Sequence, residues 1–480
     1  EHYSGISRAN DAIVHLPEVD MPENKKARYM AEAKVLRAYF YYKLNIMYKG
    51  VPVYLEPVEA SECTKGQETE AAVWQVIEDD LTAAINEPNL PNIYTEGSSD
   101  YGRVTKGLAY ALRGKAYLYQ KEYAKAAADF EAVSQCGFGL FEGDYKQLFK
   151  EANEQSKEMI FSVQCIGLDG LGNDISFRYG TRSSFGSCWN TYLVNADFVE
   201  TYENADGSKF NWNDYIPGYN EMEPAARAVF FLRDGLTDAE KEAMKTAGAD
   251  MSKYLPEGNE ARIKAAYANR DPRLKATVMY TGNSYTLADG TEVVINCEKG
   301  EGKDGYGVGS DCSATGYYIK KYWDNTYRAT LYSGLNPILI RYADILLMNA
   351  EALAELGELD KTAWDATIKP IRDRAGFTLA SALEFPEGAS KDKLIEIVRN
   401  ERRSELALEG HRHKDIIRWR IADNVLNGWC HGLKTNDVVG TDDGYVRVEN
   451  RTFNANKHYL WPIPQAERDL NGNLEQNPNW

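Results

Sequence analysis

The sequence predicts a mainly α fold: a tetratricopeptide-like α-α superhelix carrying a large irregular, loop-rich region with short strands. Three observations predict it. Apolar residues recur at helical spacing in the first and last thirds of the chain. One helix pair carries the small and aromatic residues of a tetratricopeptide unit. Between residues 136 and 335 the helical periodicity becomes intermittent, and Gly, Asn, Asp, Tyr and Trp dominate.

The first predicted helix covers 24–48, where Ala31, Ala33, Leu36, Phe40, Leu44 and Met47 recur at helical spacing and Gly50 and Pro52 stop the run. A second covers Glu70 to Ile85, with Val73, Trp74, Ile77 and Leu81 as its apolar face. Residues 103–120 and 122–135 form a pair in which Tyr110, Gly114, Tyr117, Ala126 and Phe130 fall at tetratricopeptide offsets. Gly114 and Ala126 allow close approach of the two helices, and Arg113 stands where the pattern asks for Leu. Short strands are expected near Ile160–Val163 and Glu292–Ile295, and short helices at Ala225–Leu232 and Asp238–Thr246. Helical pattern returns after Pro337, ending at Gly357, with further helices across Thr362–Arg374 and Asp392–Leu408. The expected organisation is one domain, 1–480. Its helical scaffold, 1–135 and 336–426, carries a ligand-binding insertion, 136–335, and ends in a loop segment, 427–480. A structureless stretch this long exceeds ordinary loop lengths and points to function.

Charge and composition narrow the function. The 480-residue chain has a formal net charge of −17, which repels phosphate backbones and argues against nucleic acid as a partner. No apolar run reaches the roughly 18 residues of a membrane span, and no basic amphipathic stretch suits an anionic bilayer face. Glu1–Gly5 does not read as a secretory leader, so any targeting segment is expected outside this chain. Seven Cys are scattered without zinc spacing and read as isolated thiols; Cys297 and Cys312 bracket a Gly-rich loop and form the one pair positioned to oxidise. Asn204, Asp206, Asn211 and Asp214 fail the EF-hand spacing, and Gly305, Gly307 and Gly309 lack the strand-to-helix context of a dinucleotide loop. Neither a metal nor a cofactor is expected.

The densest charge lies between Arg399 and Trp419. Glu401, Glu405 and Glu409 stack at i, i+4, i+8 on one helix face and need cations between them, for which Arg402, Arg412 and Arg418 are the nearest in sequence. Beside Leu406, Leu408 and Trp419 these charges read as an ion-pair network holding a helix corner, not as catalytic carboxylates. His411 and His413 match no metal spacing and read as surface or supporting residues. The 32 Tyr and 9 Trp supply faces on which a pyranose ring can stack while polar neighbours bond its hydroxyls. Three groups of aromatics lie in the insertion, and the candidate carbohydrate-binding residues are Trp189, Tyr192, Tyr219, Tyr285, Tyr306 and Trp323. Tyr306 is expected at the tip of a mobile glycine-rich loop.

Six segments in order resemble the SusD/RagB family: Ala31–Ala38 with Gly50–Val53, Gly102–Gly107 with Ala116–Tyr119, Arg341–Ala352, Ile371–Gly376, Glu401–Arg412, and Trp461–Pro464 with Gln476–Pro478. The resemblance implies an α-superhelix of about four tetratricopeptide-like pairs, the number being the family's. It implies glycan binding without catalysis, a SusC-like TonB-dependent transporter as partner, and a lipid anchor in the outer leaflet of the cell outer membrane. That anchor and the lead-in to the first helix are missing from this chain, so membrane contact is expected only through the missing anchor. Two other readings compete: a tetratricopeptide-type scaffold binding protein or peptide, and a glycoside hydrolase, which needs two opposed carboxylates about 5–10 Å apart.

Overall fold

The computed structural model describes all residues except 182–190, 288, 299, 301, 308–311, 324–331 and 435–440. Trp189, Phe185, Tyr327 and Cys188 lie outside the described residues.

Five helices open the chain: α1 (His2–His15), α2 (Glu23–Tyr48), α3 (Glu70–Ile85), α4 (Lys106–Tyr119) and α5 (Tyr123–Gln135). Neighbours pack in sequence order, α1 on α2, α2 on α3, α3 on α4 and α4 on α5, as in a superhelix. Thr69 and Thr105 cap α3 and α4, each hydroxyl accepting a hydrogen bond from the amide three residues on, at 3.1 Å. At Gly114 a Cβ would stand 2.6 Å from the Phe130 ring, so the α4–α5 approach requires glycine there. Arg113 has a physical reason to replace Leu. Its guanidinium forks onto Asp129 of α5 with two bonds of 2.8 Å and donates to Thr82 of α3 at 2.9 Å, tying three helices together.

The chain returns to this scaffold as the helix Tyr342–Leu356, which packs on α5 and is followed by Lys361–Ala375 and Lys391–Glu405. Its Ile345, Met348 and Ala352 complete the core built by α2 to α5, while Ala343 and Leu347 join Trp364, Ile368 and Val398 in a second core. The strand Met159–Ser162 pairs antiparallel with Ile338–Arg341 and brings the two ends of the insertion together.

Four sequence expectations change. The insertion is built on small cores of its own, one around Trp212 and Phe230 and another around Val199, Tyr202 and Leu274. The segment after 427 is not all loop: Gly428–Lys434, Thr441–Asp442 and Tyr445–Arg451 form a three-stranded sheet. Cys297 is a buried free thiol, so the Cys297–Cys312 pair is not formed. The helix bearing Glu401 and Glu405 ends at Glu405, so Glu409 lies beyond it rather than on the same face.

The ion-pair network is real, but its main cations come from distant sequence. Glu401 accepts from Arg273 at 2.5 Å and Arg372 at 2.8 Å. Glu405 accepts from Arg341 at 2.8 Å, from Arg273 at 3.1 Å and from Arg374. Glu409 accepts from Arg341 and Lys321, both at 2.7 Å. Arg402 and Arg418 serve other carboxylates: Arg402 holds Asp344 and Asp415, and Arg418 holds Glu351 and Asp415. Arg412 makes no ion pair among the described residues; it opens the next helix, Arg412–Arg418, and lies 5.9 Å from the Trp419 ring centroid.

Candidate functional site

The insertion brings several of the predicted aromatics into one neighbourhood. Tyr285, on the short strand Ser284–Thr286, sits 5.2 Å from Trp323, ring centroid to centroid. Both belong to a cluster with Met279, Ile295, Cys297 and Tyr318, against which Leu193, the neighbour of Tyr192, also packs. Tyr192 itself is 57% exposed and meets Tyr179 edge-on at 5.8 Å. Tyr179 in turn lies 5.9 Å from Tyr322. Tyr306 is half-buried. It is no free loop tip: its amide donates to the Cys297 carbonyl and its carbonyl accepts from Gly300, both at 3.1 Å.

The rings are not equally open. Tyr285 is 3% exposed and Trp323 is 8% exposed, so both act as the floor of the neighbourhood. Tyr219 lies elsewhere and is 4% exposed. It forms a wall, with Phe231 and Tyr445, around the Lys434 ammonium, which stands 4.7, 4.5 and 3.8 Å from the three ring centroids. Burial pushes Lys434 down to about 7. An aromatic set already holding a cation has no free face for a sugar, which removes Tyr219 from a surface platform.

Cations border the first neighbourhood. Lys150 stands 5.3 Å over the Trp323 ring and donates to the Trp323 carbonyl. Lys320 donates to Asn283 Oδ1 at 3.0 Å and to the Ser284 carbonyl at 2.6 Å. Burial pushes Lys320 down to about 8, and Lys275, Lys146 and Lys150 add repulsion. Tyr285 and Trp323 are enclosed and Lys150 covers a Trp323 face, so among the described candidates here the ring open to C–H stacking is Tyr192.

Sequence reasoning missed a second opening. A cleft of about 840 Å³ runs between residues 197–210 and the helix Lys391–Glu405, lined by Phe210, Glu203, Asn400, Arg403, Arg412 and Trp419 among others. Arg399 stacks over Trp419 at 4.8 Å. The signal was the surplus of arginine over carboxylate between Arg399 and Trp419, where Arg399 and Arg403 were left without an assigned partner. The carboxylates of that segment offer no proton donor. Burial alone would raise Glu401 and Glu409, but Arg273 and Arg372 outweigh it at Glu401, and Arg341 and Lys321 outweigh it at Glu409, so both stay below the usual carboxylate range. His411 is buried, 6% exposed, rather than a surface residue. Among the described residues, no group of three or more His, Cys, Asp or Glu is placed to hold a metal ion.

Comparison with known proteins agrees with this architecture. Residues 157–480 match the model of the SusD family, and residues 1–118 match a model described as starch-binding, associating with the outer membrane. A SusD-like protein P2 from Formosa agariphila is 26% identical over 99% of this chain and 78% of its own length. SusD-like protein P25 from the same organism is 27% identical over 87% of this chain and 67% of its own. Among solved structures, a SusD-like carbohydrate binding protein from Bacteroides fragilis superposes with a TM-score of 0.79 at 27% identity, covering 99% of this chain and 84% of that one. A laminarin binding SusD-like protein superposes at 0.61 with 26% identity, covering 100% and 84%. With its tetratricopeptide-like scaffold and two-thirds of its length under one family model, the chain belongs to the SusD family.

Proposed function

We propose that this chain is a non-enzymatic glycan-binding protein of the cell surface, capturing oligosaccharide for a SusC-like TonB-dependent transporter. In this reading it is held at the outer leaflet of the outer membrane by a lipid anchor attached upstream of Glu1. The observation that supports the reading is the packing of Tyr285 on Trp323 beside Lys150 and Lys320, with Leu193, the neighbour of the open Tyr192, on the same cluster and Tyr306 bonded through its backbone to Cys297 of it. Relatives named as carbohydrate-binding and laminarin-binding support the ligand class.

A pyranose stacks its C–H face on the open Tyr192 ring, with Trp189, three residues earlier, as the second candidate face. Leu193, next in the chain to Tyr192, packs on the cluster of Tyr285 and Trp323. Affinity in the micromolar to millimolar range, about −8 to −4 kcal/mol, suits capture followed by handover. The carboxylates of the dense charge segment are not poised as a glycosidase acid: Glu401 is kept ionised by Arg273 and Arg372, and Glu409 by Arg341 and Lys321.

Native affinity electrophoresis against a polysaccharide panel tests the reading, with Tyr192→Ala and Trp189→Ala beside the parent and reducing-sugar release followed in parallel. Retardation by one glycan, weakened in either variant and without release, is the expected result. Released sugar would replace it with the hydrolase reading. A protein that co-purifies while no glycan retards the chain would replace it with the peptide-scaffold reading.

A further inference from the structure

A separate cavity of about 200 Å³ opens inside the helical scaffold, away from the insertion's aromatic neighbourhood. It lies between α2, α4, the strand Ile338–Arg341 and the start of the helix Arg412–Arg418. Tyr39, Tyr42 and Tyr119 give it aromatic walls, and Lys43, His411 and Lys414 face it.

Its charge is unbalanced. The carboxylates that line it are already held: Glu409 by Arg341 and Lys321, and Asp415 by Arg402 and Arg418. Lys115, also on the wall, is bound to Asp344 at 2.6 Å. Lys43 and Lys414 line the same cavity and form no ion pair among the described residues; burial, with Lys43 nearby, pushes Lys414 down. His411 is nine-tenths buried, and its Nε2 has no hydrogen-bond partner. Two ammonium groups drawn together without a counter-charge, beside an orphaned imidazole nitrogen, are costly unless something supplies the missing acceptor. In a chain of net charge −17 such a concentration of unpaired cations is not a by-product of composition.

We propose that this cavity is a second ligand site, taking a small oxyanion of monosaccharide size between Lys43, Lys414 and His411. The two ammonium groups bind the oxyanion, the His411 imidazole takes one further hydrogen bond as its tautomer allows, and Tyr39 and Tyr42 flank any sugar ring attached to it. The volume exceeds what a single bridging water needs. A carboxylated sugar and free phosphate share this chemistry.

The test is isothermal titration of the full chain at constant ionic strength with glucuronate, inorganic phosphate and neutral glucose, repeated on Lys43→Met and Lys414→Met. These substitutions keep the side-chain length and remove the charge; loss of mutual repulsion leaves the scaffold folded, which its thermal melt confirms. Saturable binding of glucuronate, absent for glucose and weakened about tenfold or more in each variant, is the expected result. Equal binding of phosphate identifies the free oxyanion as sufficient; glucuronate alone identifies an acidic sugar. No saturable binding of either oxyanion to the parent, or binding unchanged in both variants, overturns the proposal. Tyr192→Ala serves as the control: it leaves this binding intact while reporting on the glycan platform.

Discussion

Arg341 is fully buried and touches Glu158 at 2.7 Å, Glu405 at 2.8 Å and Glu409 at 2.7 Å, all with side chains shut off from water. Replacing it by Met leaves three buried carboxylates short of a cation, and the expected cost is about 3–5 kcal/mol in urea unfolding. A loss below about 1 kcal/mol would mean Arg374, Arg273 and Lys321 suffice without it. Two histidines respond to pH with opposite signs. Burial pushes His411 from the ordinary 6.5 down to about 4, so the unfolded chain takes up a proton that the folded chain refuses. Its contribution is complete above pH 6.5 and is lost as the pH falls toward about 4. Burial would lower His431 too, but bonds to Asp197 at 2.8 Å and Asp442 at 3.1 Å raise it overall. The His431 contribution is complete below 6.5 and disappears as the pH climbs through its raised value. Stability curves of His411→Gln and His431→Gln should therefore flatten on opposite sides of that value; a shared direction would refute one assignment.

At the scale of elements, the α4–α5 pair rests on one missing side chain. Gly114→Ala drives a methyl group against the Phe130 ring, and a loss of about 1–3 kcal/mol in denaturant unfolding is expected. Phe130→Leu in the same chain should return part of that loss, since the two changes share one contact. Additive losses would show that the pair does not close through this contact. The pair was legible in sequence because Gly114, Ala126 and Phe130 report a local, i to i+16 approach. The helix α2 was legible for its length but not for its role. It buries residues around most of its circumference, Ala33 and Arg37 on one side and Val35 and Tyr42 on the other, since α1 packs on one flank and α3 on another. Arg37 reaches Asp80 of α3 at 2.7 Å and Asn10 of α1 at 2.9 Å, partners that no spacing within α2 announces.

At the scale of the molecule, the insertion is a structural partner of the scaffold as well as its cargo. Arg273 and Lys321, both within it, neutralise Glu401, Glu405 and Glu409 of the scaffold. Excising 164–336 with a short bridge joins ends that the strand pair already holds together, yet it strips those cations away. The shortened chain is expected to lose its cooperative thermal transition while keeping helical circular dichroism. A sharp transition near that of the full chain would mean the insertion is energetically separate. The last residues tie back as well: the Trp461 amide donates to the Met47 carbonyl at 3.0 Å, and Asn471 donates to the Lys65 carbonyl at 2.9 Å.

What the sequence by itself determined is local. Helix spans, the tetratricopeptide pair, the expectation of an ion-pair network and the ordered family segments all depend on residues within a few turns of one another, where periodicity and capping speak directly. Tertiary structure decided what depends on distant partners: which arginines meet Glu401, Glu405 and Glu409, whether Tyr219 faces solvent or Lys434, and that Lys43 of α2 meets Lys414 across a cavity. Burial and pairing are properties of neighbours in space. Neighbours separated by hundreds of residues leave no periodic mark in a single sequence, so the aromatics of the insertion looked alike until the fold separated the open Tyr192 from the enclosed Tyr219.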